Sequence, residues 1–180
     1  MKLIVAGSTG FVATEIIRQA LSNPTITSIV ALGRRPTPPP SNLSSDVNLT
    51  KLKSVILKDF DTEYPADVKK ELSGADACIC MPREQATKIS LDYPVRAVQT
   101  LSRLALGSGG QKPLRFILIS GAMAEPDQTK KPKMLGKFCL LRGKGETHVL
   151  EAAKETNGAV NGLEKDTILN EDMVRIAQGK

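Results

Sequence analysis

Five short apolar segments recur along the chain, separated by stretches with helical or turn character. Within each segment the apolar residues follow one another almost without a break, which is typical of strands covered on both faces of a parallel sheet. Strands that alternate with helices predict βαβ units with right-handed crossovers, and therefore a doubly wound α/β fold with helices on both faces. The predicted strands are Lys2–Ala6, Ser28–Leu32, Leu52–Leu57, Ala75–Cys80 and Leu114–Ser120.

Amphipathic patterns predict the helices that connect these strands. After the first strand, apolar residues recur at i, i+3, i+4, i+7 and i+8 from Ala13, and Asn23-Pro24 ends the pattern. Pro94 suits the first turn of a helix, so we expect the third helix to begin near Asp92. The second and fourth helices are predicted over Ala66–Leu72 and Gly143–Lys154.

The residues after the last of these helices show a weaker pattern. We find no convincing strand between Asn157 and Asn170, although the pattern allows a closing helix over Glu171–Ala177. We therefore expect one domain over residues 1–156, with about five strands, and a short C-terminal tail over residues 157–180. A chain of 180 residues with 41% apolar residues can bury a core without disulfides or a metal.

The composition excludes several other classes of protein. Three cysteines and one histidine are too few for a zinc cluster, and Cys78 and Cys80 share one face of a strand, where they cannot easily pair. We therefore expect reduced thiols and no metal. No apolar run approaches the ~18 residues of a membrane span, and the apolar start, Met1–Ala6, is too short for a signal peptide. These features predict a cytoplasmic protein with no membrane contact.

Positive charge is concentrated between Gln128 and Gly145. The six basic residues of this segment stand beside no acid and account for the whole net charge of +6. Such a run can attract phosphates, nucleic acid or an anionic membrane. We expect the simpler arrangement of a solvated loop, with Lys144 as the exception. Four Phe, two Tyr and no Trp offer little for base stacking, so we do not expect nucleic-acid binding.

A glycine-rich turn lies between the first strand and the first helix. It reads Gly7-Ser8-Thr9-Gly10-Phe11-Val12-Ala13, a Gly-x-x-Gly-x-x-Ala pattern. In such a turn the first glycine permits a tight bend, the second lets the backbone approach a pyrophosphate, and the alanine lets the helix pack close to the sheet. The helix start presents N–H groups to the phosphates. The motif predicts a dinucleotide site, with a purely structural turn as the alternative.

Two arginines follow the second strand, where a protein that prefers NAD usually has a carboxylate for the ribose hydroxyls. Residues 16–45 contain no acid and include Arg34 and Arg35. The planar guanidinium suits the 2′-phosphate of NADP. We therefore expect NADP(H) to be preferred over NAD(H); two exposed loop arginines are the alternative. Just past the third strand, Asp59-Phe60 places a carboxylate that either accepts from the adenine amino group or forms a turn.

Several segments together resemble the atypical short-chain dehydrogenase/reductases, especially their NmrA-like members. The segments are VAGSTGFVATEIIRQAL, ALGRR, KDF, GADACIC and FILISGAMAE. The resemblance covers roughly residues 1–153 and implies a Rossmann fold, a nicotinamide cofactor and oxidoreductase chemistry on a small carbonyl compound or alcohol. Family members usually continue into a sixth strand with a proline-containing turn that shapes the substrate pocket. This chain departs from that pattern after Gly158.

The resemblance also implies which residues form the site. Ser120 matches a serine that ends the fifth strand in catalytically competent relatives, and Lys144 matches the lysine of a Tyr-x-x-x-Lys motif. Leu140 stands where the tyrosine is expected and cannot transfer the proton that accompanies the hydride. His148 could replace that acid, but a surface histidine is the commoner case. Cofactor contacts are implied at Gly7, Ser8, Thr9, Gly10, Phe11, Val12, Arg34, Arg35, Asp59, Phe60, Cys80, Met81 and Pro82.

Two functions of different classes fit these features. In the first, an NADP(H)-dependent oxidoreductase binds the oxygen of a small carbonyl substrate through Ser120 and the cofactor ribose through Lys144. In the second, the protein holds NADP without turnover, as a sensor or regulatory module, and needs only the glycine turn and the arginines. A non-redox isomerase or cyclase in the same pocket is a third reading. A protein partner or a homo-oligomer fits either function.

Overall fold

The computed structural model describes residues 1–81, 87–107, 112–120 and 123–162. The strands are β1 (Lys2–Ala6), β2 (Ser28–Gly33), β3 (Leu52–Ile56), β4 (Ala77–Cys80), β5 (Leu114–Leu118) and β6 (Val160–Gly162). The helices are α1 (Phe11–Ser22), α2 (Ala66–Leu72), α3 (Thr87–Gly107) and α4 (Gly136–Lys154), with a short 3-10 helix over Leu49–Lys51. The strands are all parallel and form one sheet in the order β3-β2-β1-β4-β5-β6.

Helices cover both faces of this sheet. On one face, α1 packs through Ile17 and Leu21 against Leu3 and Val5 of β1. On the other face, α2, α3 and α4 pack over a second apolar layer that includes Ile4. Burial on both faces explains why the strands are continuously apolar rather than alternating. The predicted doubly wound, Rossmann-like α/β fold is confirmed.

The strand order reverses at β1, and this reversal places the site. β2 pairs with one side of β1 and β4 with the other, so their crossovers leave towards opposite faces of the sheet. A crevice opens at the carboxyl ends of such strands and is the usual ligand position in open α/β sheets. The ends of β1, β4 and β5 adjoin there, since the Met81 N–H donates to the Ala6 carbonyl at 3.0 Å and the Ile119 N–H to the Cys80 carbonyl at 2.9 Å.

The third helix begins earlier than the sequence predicts. It starts at Thr87 rather than near Asp92, and Pro94 lies inside it instead of in the first turn. Proline has no N–H, so the Ser90 carbonyl four residues earlier loses its usual helical donor. That carbonyl lies against Gly145 of α4, where a Cβ would be only 2.7 Å away. Close packing on α4 accounts for a helix that continues through the proline.

The fourth helix also begins earlier, at Gly136 rather than Gly143. Glycine has a poor helix propensity, so the local sequence around Gly143 and Gly145 gives a weak helical signal. In the structure, Gly143 and Gly145 are buried inside the helix, where α4 passes other backbone segments at short range. A Cβ on Gly143 would lie 2.0 Å from the carbonyl carbon and oxygen of Glu125. Tertiary packing therefore overrides local propensity in this helix.

The expectation of no strand after Asn157 is wrong. β6 pairs with β5 in parallel, with Val160 opposite Leu114. Asn157 and Gly158 have φ of 51° and 82°, and these left-handed residues turn the chain back after α4. The Leu114 N–H donates to the Ala159 carbonyl at 3.0 Å. The strand has three residues, too few for periodicity to reveal it.

Some predictions fall outside the described residues, namely the closing helix over 171–177 and the cofactor contact at Pro82. The division at residue 156 stays a prediction, although β6 extends the sheet to Gly162. Among the helices that the structure describes, none has the length and apolar character needed to cross a membrane.

The three cysteines are free and buried, as predicted for reduced thiols. Burial raises the pKa of the Cys80 thiol to about 12 and that of Cys78 well above its ordinary value, so neither forms the reactive thiolate near neutral pH. We expect a thiol-specific disulfide reagent at pH 8 to label none of the three cysteines in the folded protein and all three in guanidinium chloride. Rapid labelling of Cys80 in the folded protein would contradict this burial.

Candidate functional site

The glycine-rich turn crosses the end of β4 at very short range. Gly7 has a φ of +85°, and a Cβ there would lie 2.5 Å from the carbonyl oxygen of Met81. Only glycine fits both the left-handed backbone and this contact. The N–H groups of Gly7 and Ser8 both donate to the Leu32 carbonyl, at 2.9 and 3.3 Å. The turn is thereby fastened to β2 as well as to β4.

Ser8 has a structural role that the sequence did not reveal. Its side chain is fully buried, and its hydroxyl shares a 2.6 Å hydrogen bond with the Thr37 hydroxyl. The Thr37 N–H donates to Oγ of Ser54 at 2.9 Å. The hydroxyl and the N–H of Ser8 therefore have partners within the protein, and the predicted cofactor contact at this residue stays a prediction. Thr37, which the sequence analysis missed, ties the chain after β2 to the glycine turn.

The first turn of α1 supplies the N–H groups suited to a phosphate. The first helical hydrogen bond runs from the Thr14 N–H to the Gly10 carbonyl at 2.9 Å. The N–H groups of Phe11, Val12 and Ala13 precede it and have no acceptor within the helix. The first turn carries no acidic residue that would compete with an anion. The helix start thus has the donors and the dipole direction of an anion site.

Gly10 leaves space beside these donors. It is the N-cap of α1 in extended conformation, and the nearest atom to a Cβ built there would be the Gly7 carbonyl oxygen at 3.6 Å. A Cβ at Gly10 would therefore make only an ordinary contact next to the helix start. This is the cradle that a pyrophosphate requires, so the residues present fit a dinucleotide.

An open cleft of about 520 Å³ lies beside the turn, at the carboxyl ends of β1, β2 and β4. The structure brings six predicted site residues to its walls: Gly7, Thr9, Arg34, Phe60, Cys80 and Met81. Tyr93 and Pro94 also line it and were missed, because the local sequence does not show which part of α3 faces the cleft. Because burial raises its pKa, the Cys80 thiol is protonated near neutral pH and adds an uncharged group to the cleft lining.

The two arginines after β2 differ in position. Both are exposed, but Arg34 lines the cleft and Arg35 does not. Gly33 holds the start of this loop close to the glycine turn, since a Cβ there would be 2.9 Å from Oγ of Ser8. With Gly33 on one side and Thr37 on the other, the loop has little freedom. Arg34 is the guanidinium placed to meet an anionic group in the cleft.

An aromatic pair forms one side of the cleft. The rings of Phe60 and Tyr93 stack with centroids 5.5 Å apart and 22° between their planes. Asp59 next to them is half-buried, and its Oδ1 accepts the Asp61 N–H at 3.0 Å. This is a turn-forming aspartate, the structural alternative considered for Asp59. The other carboxylate oxygen of Asp59 is not used in this turn, and the contact with the adenine amino group stays a prediction.

The predicted catalytic residues are not among those that line this cleft. Ser120 follows β5, and its Oγ is buried without a hydrogen-bond partner among the described residues. Lys144 is exposed on α4, and Leu140, one turn earlier, is half-buried. None of the three lines the cleft. His148 is half-buried one turn beyond Lys144. In the described part of the chain, no cluster of three metal-ligating side chains occurs.

The basic segment contains a buried arginine as well as exposed lysines. Arg142 is 8% exposed, and its guanidinium lies 5.0 Å from the centre of the Phe138 ring. Lys144, expected as the exception, is exposed. Lys130 forms an ion pair with Glu125 at 3.1 Å. The segment therefore combines a buried arginine in α4 with exposed lysines in the loop before it.

Comparison with solved structures finds the same fold in several enzymes. Vestitone reductase from alfalfa superimposes with a TM-score of 0.60 at 19% identity, over 89% of this chain and 55% of that one. The yeast methylglyoxal/isovaleraldehyde reductase complexed with NADPH gives 0.59 at 13% identity, over 90% and 55%. The Citrobacter sp. triphenylmethane reductase complexed with NADP(H) gives 0.53 at 14% identity, over 97% and 54%.

These likenesses establish a shared Rossmann-like fold. The chain spans about half the length of the three reductases it matches. No protein-family model matches the sequence, and neither does any curated protein.

Proposed function

We propose that the chain is an atypical short-chain dehydrogenase/reductase that binds NADP(H) at the carboxyl edge of β1, β2 and β4. The resemblance of its motifs, the fold shared with reductases that bind NADPH or NADP(H), and the cleft geometry all support this. One observation carries most of the weight. Gly10 and the α1 N–H groups that have no acceptor within the helix follow directly on Gly7 and Thr9, which line the cleft together with Arg34.

Named residues account for each part of the cofactor in this proposal. The N–H groups of Phe11, Val12 and Ala13 hold the pyrophosphate, and Arg34 holds the 2′-phosphate through its planar fork. The stacked rings of Phe60 and Tyr93 form an apolar wall beside the adenosine half. When bound, the nicotinamide supplies a hydride to a carbonyl carbon or takes one from an alcohol.

Ser120 is the chain's own candidate for holding the reacting oxygen. Its hydroxyl is buried and makes no hydrogen bond to the described residues, so it has a donor to give to a substrate carbonyl. Lys144 would hold the ribose by reaching in from the exposed side of α4. The substrate class that fits is a small carbonyl compound or its alcohol.

A second candidate function is favoured by Leu140. This residue stands one turn before Lys144, where family members carry the tyrosine that transfers the proton. Leucine has no proton to transfer, so reduction without another acid is slow. Binding of NADP(H) without turnover, as in a sensor or regulatory module, needs only the glycine turn, the helix start and Arg34. The two functions share one cofactor site and differ in turnover.

Replacing Arg34 with alanine tests the cofactor assignment. We expect Arg34→Ala to weaken NADP(H) binding by about 10- to 100-fold, because a charge-assisted hydrogen bond to phosphate contributes about 1.5–3 kcal/mol. NAD(H) binding should change by less than about threefold, since NAD lacks the 2′-phosphate. Calorimetric titration with both nucleotides gives the two ratios.

Arg35→Ala is the matched control, because it removes the neighbouring guanidinium, which does not line the cleft. It should cost NADP(H) binding much less than Arg34→Ala does. Equal losses of NADP(H) and NAD(H) affinity in Arg34→Ala would remove the argument for the 2′-phosphate.

A further inference from the structure

Two large apolar side chains stand exposed, side by side, just before α4. Met134 is 68% exposed and Leu135 is 59% exposed. Single exposed apolar residues are common on protein surfaces, but an adjacent pair on a loop forms a continuous exposed apolar patch. We call residues 131–137, which contain this pair, the basic tip. The basic tip also contains three exposed lysines, Lys131, Lys133 and Lys137.

The backbone of the basic tip is held from the inside. The Leu135 carbonyl accepts the Cys139 N–H at 2.9 Å, and the Met134 carbonyl accepts the Cys139 thiol at 3.4 Å. The Cys139 carbonyl in turn accepts the Glu125 N–H at 2.9 Å. Because Cys139 is buried in α4, these bonds fix the tip to the protein body. The two apolar side chains are therefore displayed from an anchored backbone.

Leu135 holds a left-handed conformation, with φ of 50° and ψ of 33°. A bulky residue is uncommon there, whereas asparagine or glycine adopts it readily. Because the side chain of Leu135 is exposed, its burial offsets little of the free-energy cost of this backbone conformation. An outlier of this kind at an exposed position points to a role outside the folding of the chain.

The positive charge of the basic tip is not neutralised by the loop that leads to it. The Glu125 carboxylate binds Lys130 and the Asp127 N–H. The Asp127 carboxylate accepts the N–H and the hydroxyl of Thr129. Both acids are thus engaged locally, and these bonds lower the pKa of each carboxyl. Lys131, Lys133 and Lys137 remain available to an external anion.

We propose that the basic tip docks on an anionic lipid surface, with Met134 and Leu135 entering the interface and the three lysines contacting the headgroup phosphates. Burial of apolar side chains at the boundary between headgroups and acyl chains favours membrane binding, and the negative surface potential attracts the neighbouring lysines. Nucleic acid fits less well, because aliphatic side chains do not stack on bases. The nearest ring, Phe138, lies under the Arg142 guanidinium. This surface is independent of the cofactor site, and the proposal departs from the expectations of a solvated loop and of no membrane contact.

Cosedimentation of the full chain with vesicles tests the apolar half of the proposal. The wild type should sediment with vesicles of 70% phosphatidylcholine and 30% phosphatidylserine, and not with phosphatidylcholine alone. Met134→Gln combined with Leu135→Asn should weaken binding at least about tenfold, since apolar area drives interfacial insertion. Asparagine suits the left-handed backbone, so thermal stability should be kept. Leu106→Gln on α3, which removes another exposed leucine, is the control and should bind as the wild type.

A charge reversal tests the other half. Changing Lys131, Lys133 and Lys137 to Glu should abolish sedimentation, because each lysine near an anionic surface contributes roughly fivefold. The same change at the exposed Lys58, Lys112 and Lys154 alters net charge equally and should leave most of the binding.

Three results would overturn the proposal. The first is a wild type that does not sediment with anionic vesicles. The second is an equal loss of vesicle binding in both lysine triple variants, and the third is full vesicle binding by the Met134 and Leu135 double variant. Binding to poly-glutamate that depends on Met134 and Leu135, without vesicle binding, would instead assign the tip to an acidic polypeptide.

Discussion

Gly10→Val is expected to abolish cofactor binding while the protein stays folded. A Cβ on Gly10 would make only an ordinary contact, 3.6 Å from the Gly7 carbonyl oxygen, so we expect the valine side chain to occupy the volume beside the first N–H groups of α1 that is assigned to the pyrophosphate. We expect affinity for NADPH to fall at least about a hundredfold, or about 2.7 kcal/mol. The free energy of unfolding should fall by no more than about 1 kcal/mol, the cost of a poorer N-cap. Calorimetric titration and thermal unfolding measure the two effects.

Gly7→Ala is the matched comparison within the same turn. Its Cβ meets the Met81 carbonyl oxygen at 2.5 Å on a left-handed backbone, so the fold itself should lose about 3 kcal/mol. The two glycines of one motif thus separate binding from folding. Unchanged NADPH affinity in Gly10→Val would remove the pyrophosphate from this turn.

Gly143→Ala should destabilise the protein by at least about 3 kcal/mol. In an ordinary helix the same change stabilises by up to about 1 kcal/mol, because alanine has the higher helix propensity. Here the new Cβ would lie 2.0 Å from the backbone of Glu125 and 2.4 Å from the Pro126 nitrogen. To relieve this overlap, either α4 must shift or the segment with Glu125 and Pro126 must move away from the helix. Chemical denaturation followed by circular dichroism measures the loss.

Gly136→Ala provides the control at the start of the same helix. The nearest atom to its Cβ would be Cδ of Pro132 at 3.9 Å, an ordinary contact. This variant should be neutral or slightly stabilised, in line with propensity. A Gly143→Ala protein as stable as Gly136→Ala would contradict the close approach of α4 to Glu125–Pro126.

The unit of β1, glycine turn and α1 could be predicted from sequence because its signals are local. Strand, turn residues and the periodic helix face lie within Lys2–Leu21, and the structure places each where it was expected. Arg34, which lines the cleft, was predicted by the same means, through its distance from the glycines and the lack of nearby acids, and its contact with a cofactor stays a prediction. Fold class followed from the alternation of such units, as the parallel sheet confirms.

The misplaced elements depend on contacts between distant segments. Pro94 and Gly143 disfavour a helix locally, yet both lie inside one. The Ser90 carbonyl of α3 packs closely against Gly145 of α4, and the backbone of Glu125 and Pro126 passes α4 at Gly143. Tyr93 reaches the cleft from α3, a position that depends on how this helix packs on the sheet. Thr37 is an unremarkable residue in a proline-rich loop, and its bond to Ser8 shows only in three dimensions. Period and propensity carry no information on such pairings.

Titration of the purified protein with NADPH and NADH by calorimetry tests the central claim most directly. The account predicts saturable binding of NADPH at one site per chain, at least about tenfold tighter than that of NADH, because Arg34 adds a charge-assisted contact to the 2′-phosphate. Failure to bind either nucleotide would contradict it, since the glycine turn and the α1 start would then serve the fold alone.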